Sequence, residues 1–199
     1  MAELPIKLCP TREAIFSAYE ADSGDGFRSH LGASLIGKPC ERALFYDFRW
    51  VTRAKHEGRL LRLFETGQLE EVRLVLNLRR VGATVLEVDP DTGRQFRVQA
   101  HGGHFGGSLD GVAINLLEAP KTWHVLEFKT HSNKSFNELV AKTVRESKPQ
   151  HFAQMQIYMH LMGMTRAMYM AVNKDNDDLY IERVEVDTEY AKGLLEKAE

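Results

Sequence analysis

Cysteine is scarce in this chain, and long apolar runs are missing altogether. The two cysteines, Cys9 and Cys40, could pair in principle, but nothing else in the sequence suggests secretion, and two free thiols are ordinary in a reducing cytosol. No stretch approaches the ~18 apolar residues of a membrane span. The first thirty residues lack the basic start and apolar core of a signal peptide, so a soluble, cytoplasmic protein with no membrane partner is expected. Charge of one sign is lacking too: the net charge is −2, which excludes a plainly basic nucleic-acid coat. No Gly-Lys-Ser/Thr follows any glycine cluster, which excludes a phosphate-binding P-loop.

The distribution of charge says more than its sum. Arg28 to Arg80 holds 11 Lys/Arg against 6 Asp/Glu, whereas Asp175 to Glu199 holds 3 against 9. Any positive potential therefore sits in the N-terminal half, although solvated helix faces would give the same count. At 199 residues the chain suits one domain, since typical domains hold roughly 100–150 residues. The expected division is an N-terminal helix and flexible segment over residues 1–30, then a core over about 34–174.

A helix capped by Thr11 is expected over Thr11–Ala21, followed by a flexible stretch to Ser29 in which Asp22, Ser23, Gly24, Asp25 and Gly26 cluster. A second helix is expected from Ser34 toward Trp50, its first turns disturbed by Gly37 and Pro39. The third, Glu57–Arg80, places Leu60, Phe64, Leu74, Val75 and Leu78 on one face and stops before Gly82. Strands are expected over Ala83–Val88, Arg94–Ala100, Ser108–Asn115 and Trp123–Thr130, with a turn at Asp89–Gly93. Helices over Ser135–Ser147 and Gln150–Met162, strands over Arg166–Asn173 and Leu179–Val186, and a helix over Thr188–Lys197 complete the chain. This order points to an α/β or α+β layered domain around a mixed sheet.

Period-two alternation in Trp123–Thr130 puts Glu127 and Lys129 on one face of a strand and Leu126 and Phe128 on the other. Asp110 falls on the strand expected to pair with this one, so its carboxylate can meet that of Glu127. Two carboxylates, with the Phe128 carbonyl as a further oxygen, make a hard site suited to magnesium or manganese. The Lys129 ammonium could orient or deprotonate an attacking water. A surface Glu-Lys pair beside a turn aspartate is the bland alternative. Taking ~100° per residue, Glu71 lies within the apolar stripe of the third helix, where a buried carboxylate needs a cation; a metal ion and Arg73 are the two candidates. Glu70 points off the stripe toward solvent. On the helix after Pro149, His151, Gln154 and Tyr158 share a narrow arc, from which Gln154 and Tyr158 could hold a phosphate or the lysine. They could equally form a polar rim at a helix–sheet border.

Gly67-x-x-x-Glu71, Gly107-Ser108-Leu109-Asp110-Gly111, Leu126-Glu127-Phe128-Lys129-Thr130 and Gln154-x-x-x-Tyr158 occur in the order found in PD-(D/E)xK nucleases. The sequence resembles the lambda-exonuclease and RecB-like branches over roughly Ser34 to Asn173. The resemblance implies a three-layer αβα sandwich that hydrolyses DNA phosphodiester bonds with Mg2+ or Mn2+, with Asp110 and Glu127 as metal ligands. It further implies Lys129 as the water's partner, Gln154 as an ordering residue and Glu71 as the helix acid. DNA is the implied substrate, in recombination and repair, with the protein in the cytoplasm of a bacterial cell or phage-infected host.

Lys38-Pro39-Cys40-Glu41-Arg42 resembles the first cysteine motif of the iron–sulfur nucleases, but no cysteine follows Cys40, so no iron–sulfur cluster is expected within one chain. With no helicase motor in the sequence, the module is expected to act alone, to form a homo-oligomer, or to borrow a recombination or replication partner. Arg28, Ser34, Arg42 and His151 are candidates to hold DNA phosphates, with solvated surface as the alternative for each. A zinc site from His101 and His104 with His124 or His131 is disfavoured by its glycine-rich setting. Gly102, Gly103, Gly106 and Gly107 instead suit a tight turn or the close approach of a DNA strand. Exonucleolytic cutting leads; an endonuclease of the same fold and a catalytically silent DNA-binding scaffold are the alternatives.

Overall fold

The computed structural model describes residues 9–24, 27–51 and 55–199. Asp25 and Gly26 of the expected flexible stretch lie outside these residues. Seven helices and eight strands follow in the order α1 (Pro10–Asp22), β1 (Leu31–Gly32), α2 (Glu41–Phe48), α3 (Gly58–Arg80), β2 (Thr84–Leu86), β3 (Arg97–Ala100), β4 (Phe105–Ser108), β5 (Gly111–Ile114), β6 (His124–His131), α4 (Asn133–Ala141), α5 (Val144–Ser147), α6 (Pro149–Met162), β7 (Arg166–Asn173), β8 (Leu179–Glu185) and α7 (Thr188–Ala198). None of the described helices is long and apolar enough to cross a membrane.

The central sheet has the order β2-β5-β6-β7-β8. Only β6 and β7 are parallel, and the crossover between them carries α4, α5 and α6. Seven of the eight residues of β7 are buried, the continuous apolar run of a strand covered on both faces. One face packs against α3 through Leu74, Val75 and Leu78, which meet Leu126, Phe128, Met168 and Met170. The other packs against α6, where Met155, Tyr158 and Met159 join Val125, Tyr169 and Ala171. The result is a three-layer αβα sandwich with a mixed sheet, and α1 lies on α3. A Cβ at Gly58 would stand 2.2 Å from the carbonyl oxygen of Phe16, so the α1–α3 approach requires glycine there.

Several boundaries differ from the sequence reading for physical reasons. Pro10, not Thr11, begins α1: its missing N–H suits the first helical position, and no side chain caps the helix. Ser34 lies in a short 3₁₀ turn, and a helix resumes only at Glu41, past Gly37 and Pro39. The expected strand Ser108–Asn115 is broken at Leu109–Asp110. Ser108 ends β4, which belongs to a separate sheet of order β1-β4-β3, while β5 joins the central sheet. The expected helix over Ser135–Ser147 divides into α4 and α5. Phe64 is exposed rather than part of the core, because its turn of α3 overhangs a groove. Finally, α6 is buried on all sides from Phe152 to Met159 rather than along one stripe, since α5, α7 and the 3₁₀ turn cover what the sheet does not. Cys9 and Cys40 are free thiols.

Candidate active site

Strand β5 pairs with β6 only as far as Gly111 opposite Leu126, whereas β7 follows β6 to His131. From Glu127 onward β6 has lost its partner on one edge, and the break before β5 places Asp110 beside that edge. The Phe128 amide donates to Asp110 Oδ2 at 2.7 Å, the bond a neighbouring strand would otherwise supply. The Lys129 ammonium donates to the Phe128 carbonyl at 3.0 Å and pairs with Glu127 Oε1. Glu127 has no exposed side-chain surface; its Oε1 meets the Lys129 ammonium, and its Oε2 has no hydrogen-bond partner.

Glu71 enters from α3. It is half-buried and shares a groove of about 340 Å³ with Phe64, Gly67, Glu70, Phe128 and Lys129. Arg73 does not neutralise it, because that guanidinium pairs with Glu70 at 3.2 Å and Asp177 at 3.1 Å. Glu70 is accordingly ion-paired and mostly covered, not solvated. A second cleft of about 610 Å³ is lined by Arg28, His30, Ser34, Arg97, Gln99, Ser108, Gln154 and Tyr158, and none of its described lining residues is acidic.

No family model matches the chain, and no curated protein matches it in sequence. Solved structures do match. An alkaline exonuclease from Laribacter hongkongensis aligns at 18% identity and a TM-score of 0.59, covering 94% of this chain and 88% of that one. The same exonuclease in complex with dAMP gives 17% and 0.55 over the same shares. A phage-related exonuclease from Haemophilus somnus gives 13% and 0.56, covering 86% of this chain and 91% of that one. The fold is that of these exonucleases.

Within this exonuclease fold, the architecture agrees with the resemblance to PD-(D/E)xK nucleases that the motifs carry. Burial raises the Glu127 carboxyl to about 7, with the charges of Asp110 and Glu71 adding to it and Lys129 opposing. Asp110 is raised by burial against the pull of Lys129 and the Phe128 amide, and Glu71 by burial and then by Asp110. Burial works against the Lys129 charge, but Glu127, Asp110 and Glu71 outweigh it and raise its pKa. The three acids thus share one electrostatic neighbourhood around one ammonium. Among the described residues, no three His, Cys, Asp or Glu side chains are drawn into a ready-made metal cage.

Gln154 and Tyr158 line the basic cleft and make no hydrogen bond to Lys129 among the described residues. The Tyr158 hydroxyl donates to the Ser108 carbonyl at 2.8 Å and accepts from Gln154 Nε2 at 3.1 Å, which fixes the turn that presents Asp110. Gly107 makes this possible, since a Cβ there would lie 2.6 Å from the Tyr158 hydroxyl and 3.1 Å from Ala33 Cβ. Gly107→Ala should therefore cost about 1–3 kcal/mol. Thermal unfolding should show a fall of several degrees, and an unchanged melting temperature would mean that Tyr158 is not so confined.

Arg28 and Ser34 reach the basic cleft, but Arg42 and His151 do not. Arg42 lies on α2, its guanidinium 5.6 Å from the Tyr46 ring centre. His151 packs on Tyr169, whose hydroxyl it meets at 2.8 Å, and burial followed by the Lys129 charge lowers its pKa to about 3. It is therefore uncharged at neutral pH and offers a phosphate no positive charge. The four histidines weighed for zinc are dispersed: His101 meets the Leu195 carbonyl, His104 packs on Phe48, His124 meets Arg183, and His131 meets Tyr169. Sequence reasoning missed His30, Arg97 and Gln99. The alternation of β3, in which Arg97 and Gln99 share the face opposite Val98, was the signal that could have found the last two.

Proposed function

We propose that this protein is a metal-dependent DNA exonuclease acting in recombination or repair. The observation that carries the reading is Glu127, a fully buried carboxylate whose Oε2 has no hydrogen-bond partner, set with Asp110 and Glu71 around the single ammonium of Lys129 on an open strand edge. Three acids against one ammonium are costly unless a further cation completes them. The donors available, three carboxylates and the Phe128 carbonyl, are hard oxygens that fit Mg2+ or Mn2+ and offer no soft ligand. A divalent ion held there supplies Lewis acidity and charge neutralisation for phosphodiester hydrolysis.

The chain's own residues perform the remaining tasks. Lys129, anchored on Glu127 and the Phe128 carbonyl, orients the attacking water through its ammonium and can give a proton to the departing oxygen. Tyr158 and Gln154 keep Asp110 in register through the Ser108 carbonyl. Arg28 and Ser34 hold a backbone or terminal phosphate in the basic cleft, whose volume lies in the range of small-ligand sites. The Laribacter exonuclease forms a complex with dAMP, and the basic cleft is where this chain would take a nucleotide of that kind. Engagement of an end would place the scissile bond without any reading of base edges. A homo-oligomer or a partner protein would extend the grip on DNA.

End-labelled linear duplex and closed circular duplex, each with and without magnesium, test the proposal. Linear DNA should lose short products from its termini only when metal is present, and closed circles should resist. Rapid linearisation of circles while linear ends are spared would establish the endonuclease reading. Magnesium or manganese should activate and calcium should bind with little turnover, because its looser coordination positions water poorly. Full activity in excess chelator, or strict dependence on zinc, would refute the oxygen-ligand site.

A further inference from the structure

Helix α2 is anchored through one buried residue, Leu44, with Phe48 packed against the core and Asp47 held by Lys38 at 2.6 Å. Its opposite face is Arg42, Phe45, Tyr46 and Arg49, spaced at i, i+3, i+4 and i+7, so that the four side chains form one stripe. All four are exposed, Phe45 at 58% and Tyr46 at 40%. The two rings lie 6.0 Å apart, and Arg42 both covers Tyr46 and donates to its hydroxyl at 3.0 Å. Among the described residues neither Arg42 nor Arg49 forms an ion pair with a carboxylate.

The stripe ends at Arg49, the neighbour in the chain of Trp50, which reaches the residues of the basic cleft. Trp50, just past α2, packs on Phe27 with ring centres 5.3 Å apart, and its indole N–H donates to the Arg28 carbonyl at 3.0 Å. Phe27, itself 62% exposed, and Arg28 both line the cleft. A path of alternating aromatic rings and guanidinium groups therefore leads from the outer face of α2 to the cleft mouth.

We infer that this path is a stacking platform for the unpaired bases of a DNA strand whose backbone enters the cleft. The inference rests on the reading of the cleft as a DNA site. Exposed rings offer flat faces that any base can cover, and the interleaved arginines match a phosphate at each step and stack in their turn. Paired bases inside a duplex cannot present their faces to the side of a helix, so the chemistry selects single-stranded DNA. A contact with a second copy of this chain would bring Arg42 and Arg49 against a like-charged face if the stripe met itself.

The test uses the full chain in metal-free buffer with fluorescein-labelled oligothymidylate and a labelled blunt duplex, read by fluorescence anisotropy. Phe45→Ala with Tyr46→Ala should weaken oligothymidylate binding by at least about tenfold, with an unchanged dependence on salt. Arg42→Gln with Arg49→Gln should instead flatten the salt dependence. In a Trp123→Phe background, oligothymidylate should quench the fluorescence of Trp50, the remaining tryptophan. If the Phe45/Tyr46 variant binds oligothymidylate as wild type does, the platform is refuted. Should it also turn a sedimenting oligomer into a monomer, the stripe is a contact between copies. Wild-type protein that cleaves DNA while the aromatic variant binds normally refutes this inference alone; wild-type protein that neither binds nor cleaves DNA refutes the functional reading with it.

Discussion

Replacing Glu127 with glutamine should abolish DNA cleavage and, in metal-free protein at pH 8, raise the melting temperature. Both outcomes come from one carboxylate. In the folded chain Glu127 is sealed from water, and its pKa stands at about 7 instead of the ordinary 4.5. Between those values the folded state keeps a proton that the unfolded chain has released. The contribution of Glu127 to stability therefore falls as pH rises through this window, and above about 7 the full cost of its buried charge is borne. A difference of that size corresponds to roughly 3 kcal/mol at ~1.4 kcal/mol per pKa unit. Glutamine keeps the shape and removes the charge, so the variant should melt several degrees higher, at roughly 2–4 °C per kcal/mol for a chain of this length. Manganese should stabilise wild-type protein and do little for the variant, since the ion and the substitution relieve the same strain. Near wild-type cleavage by the variant would remove Glu127 from the site. Buried His131 and His151, with lowered pKa values, titrate in the opposite sense in both proteins, so the check is the difference between wild type and variant: a gain from glutamine that is no smaller at pH 5 than at pH 8 would remove the energetic argument.

The sequence made some of this visible and hid the rest for identifiable reasons. The α3 helix and β7 were legible to within a residue or two, because a long 3.6-residue stripe ending before Gly82 and a continuous apolar run are strong local signals. Glu127 and Lys129 on one strand face follow from alternation alone. What alternation cannot report is the partner of a strand. Ser108 to Asn115 reads as one strand, yet the chain leaves one sheet and enters another at Leu109–Asp110, and the unpaired edge of β6 exists only because of that break. Periodicity likewise gives the direction of a side chain and not what it faces: Phe64 shares its helix face with Leu78, but only Leu78 has the sheet beneath it. Tyr158 illustrates the same limit. Its bond to the Ser108 carbonyl joins residues fifty positions apart, and no local pattern distinguishes that bond from a phosphate contact.

Lys129→Ala should separate chemistry from metal binding, lowering the cleavage rate by roughly 10²–10⁴-fold, the range for loss of a proton-transfer group, while manganese binds more tightly than to wild type. The ammonium occupies Glu127 Oε1 and the Phe128 carbonyl, two of the oxygens that a divalent ion would use, so it competes for them as a resident cation. Its side chain is 28% exposed and lies at the edge of the groove, which gives it room to withdraw toward water. Two unit charges 4 Å apart interact by about 4 kcal/mol at an effective dielectric constant of 20. Recovery of even a third of that on removing the ammonium would tighten manganese binding about tenfold. Asp110→Ala makes the contrast, since it removes an oxygen ligand and the acceptor of the Phe128 amide, and should weaken cleavage and metal binding together. Calorimetric titration of both variants with manganese, beside single-turnover cleavage of linear duplex, decides the matter. If Lys129→Ala loses metal affinity in parallel with activity, the lysine builds the ion site instead of competing for it, and its assignment as the partner of the attacking water would have to be abandoned.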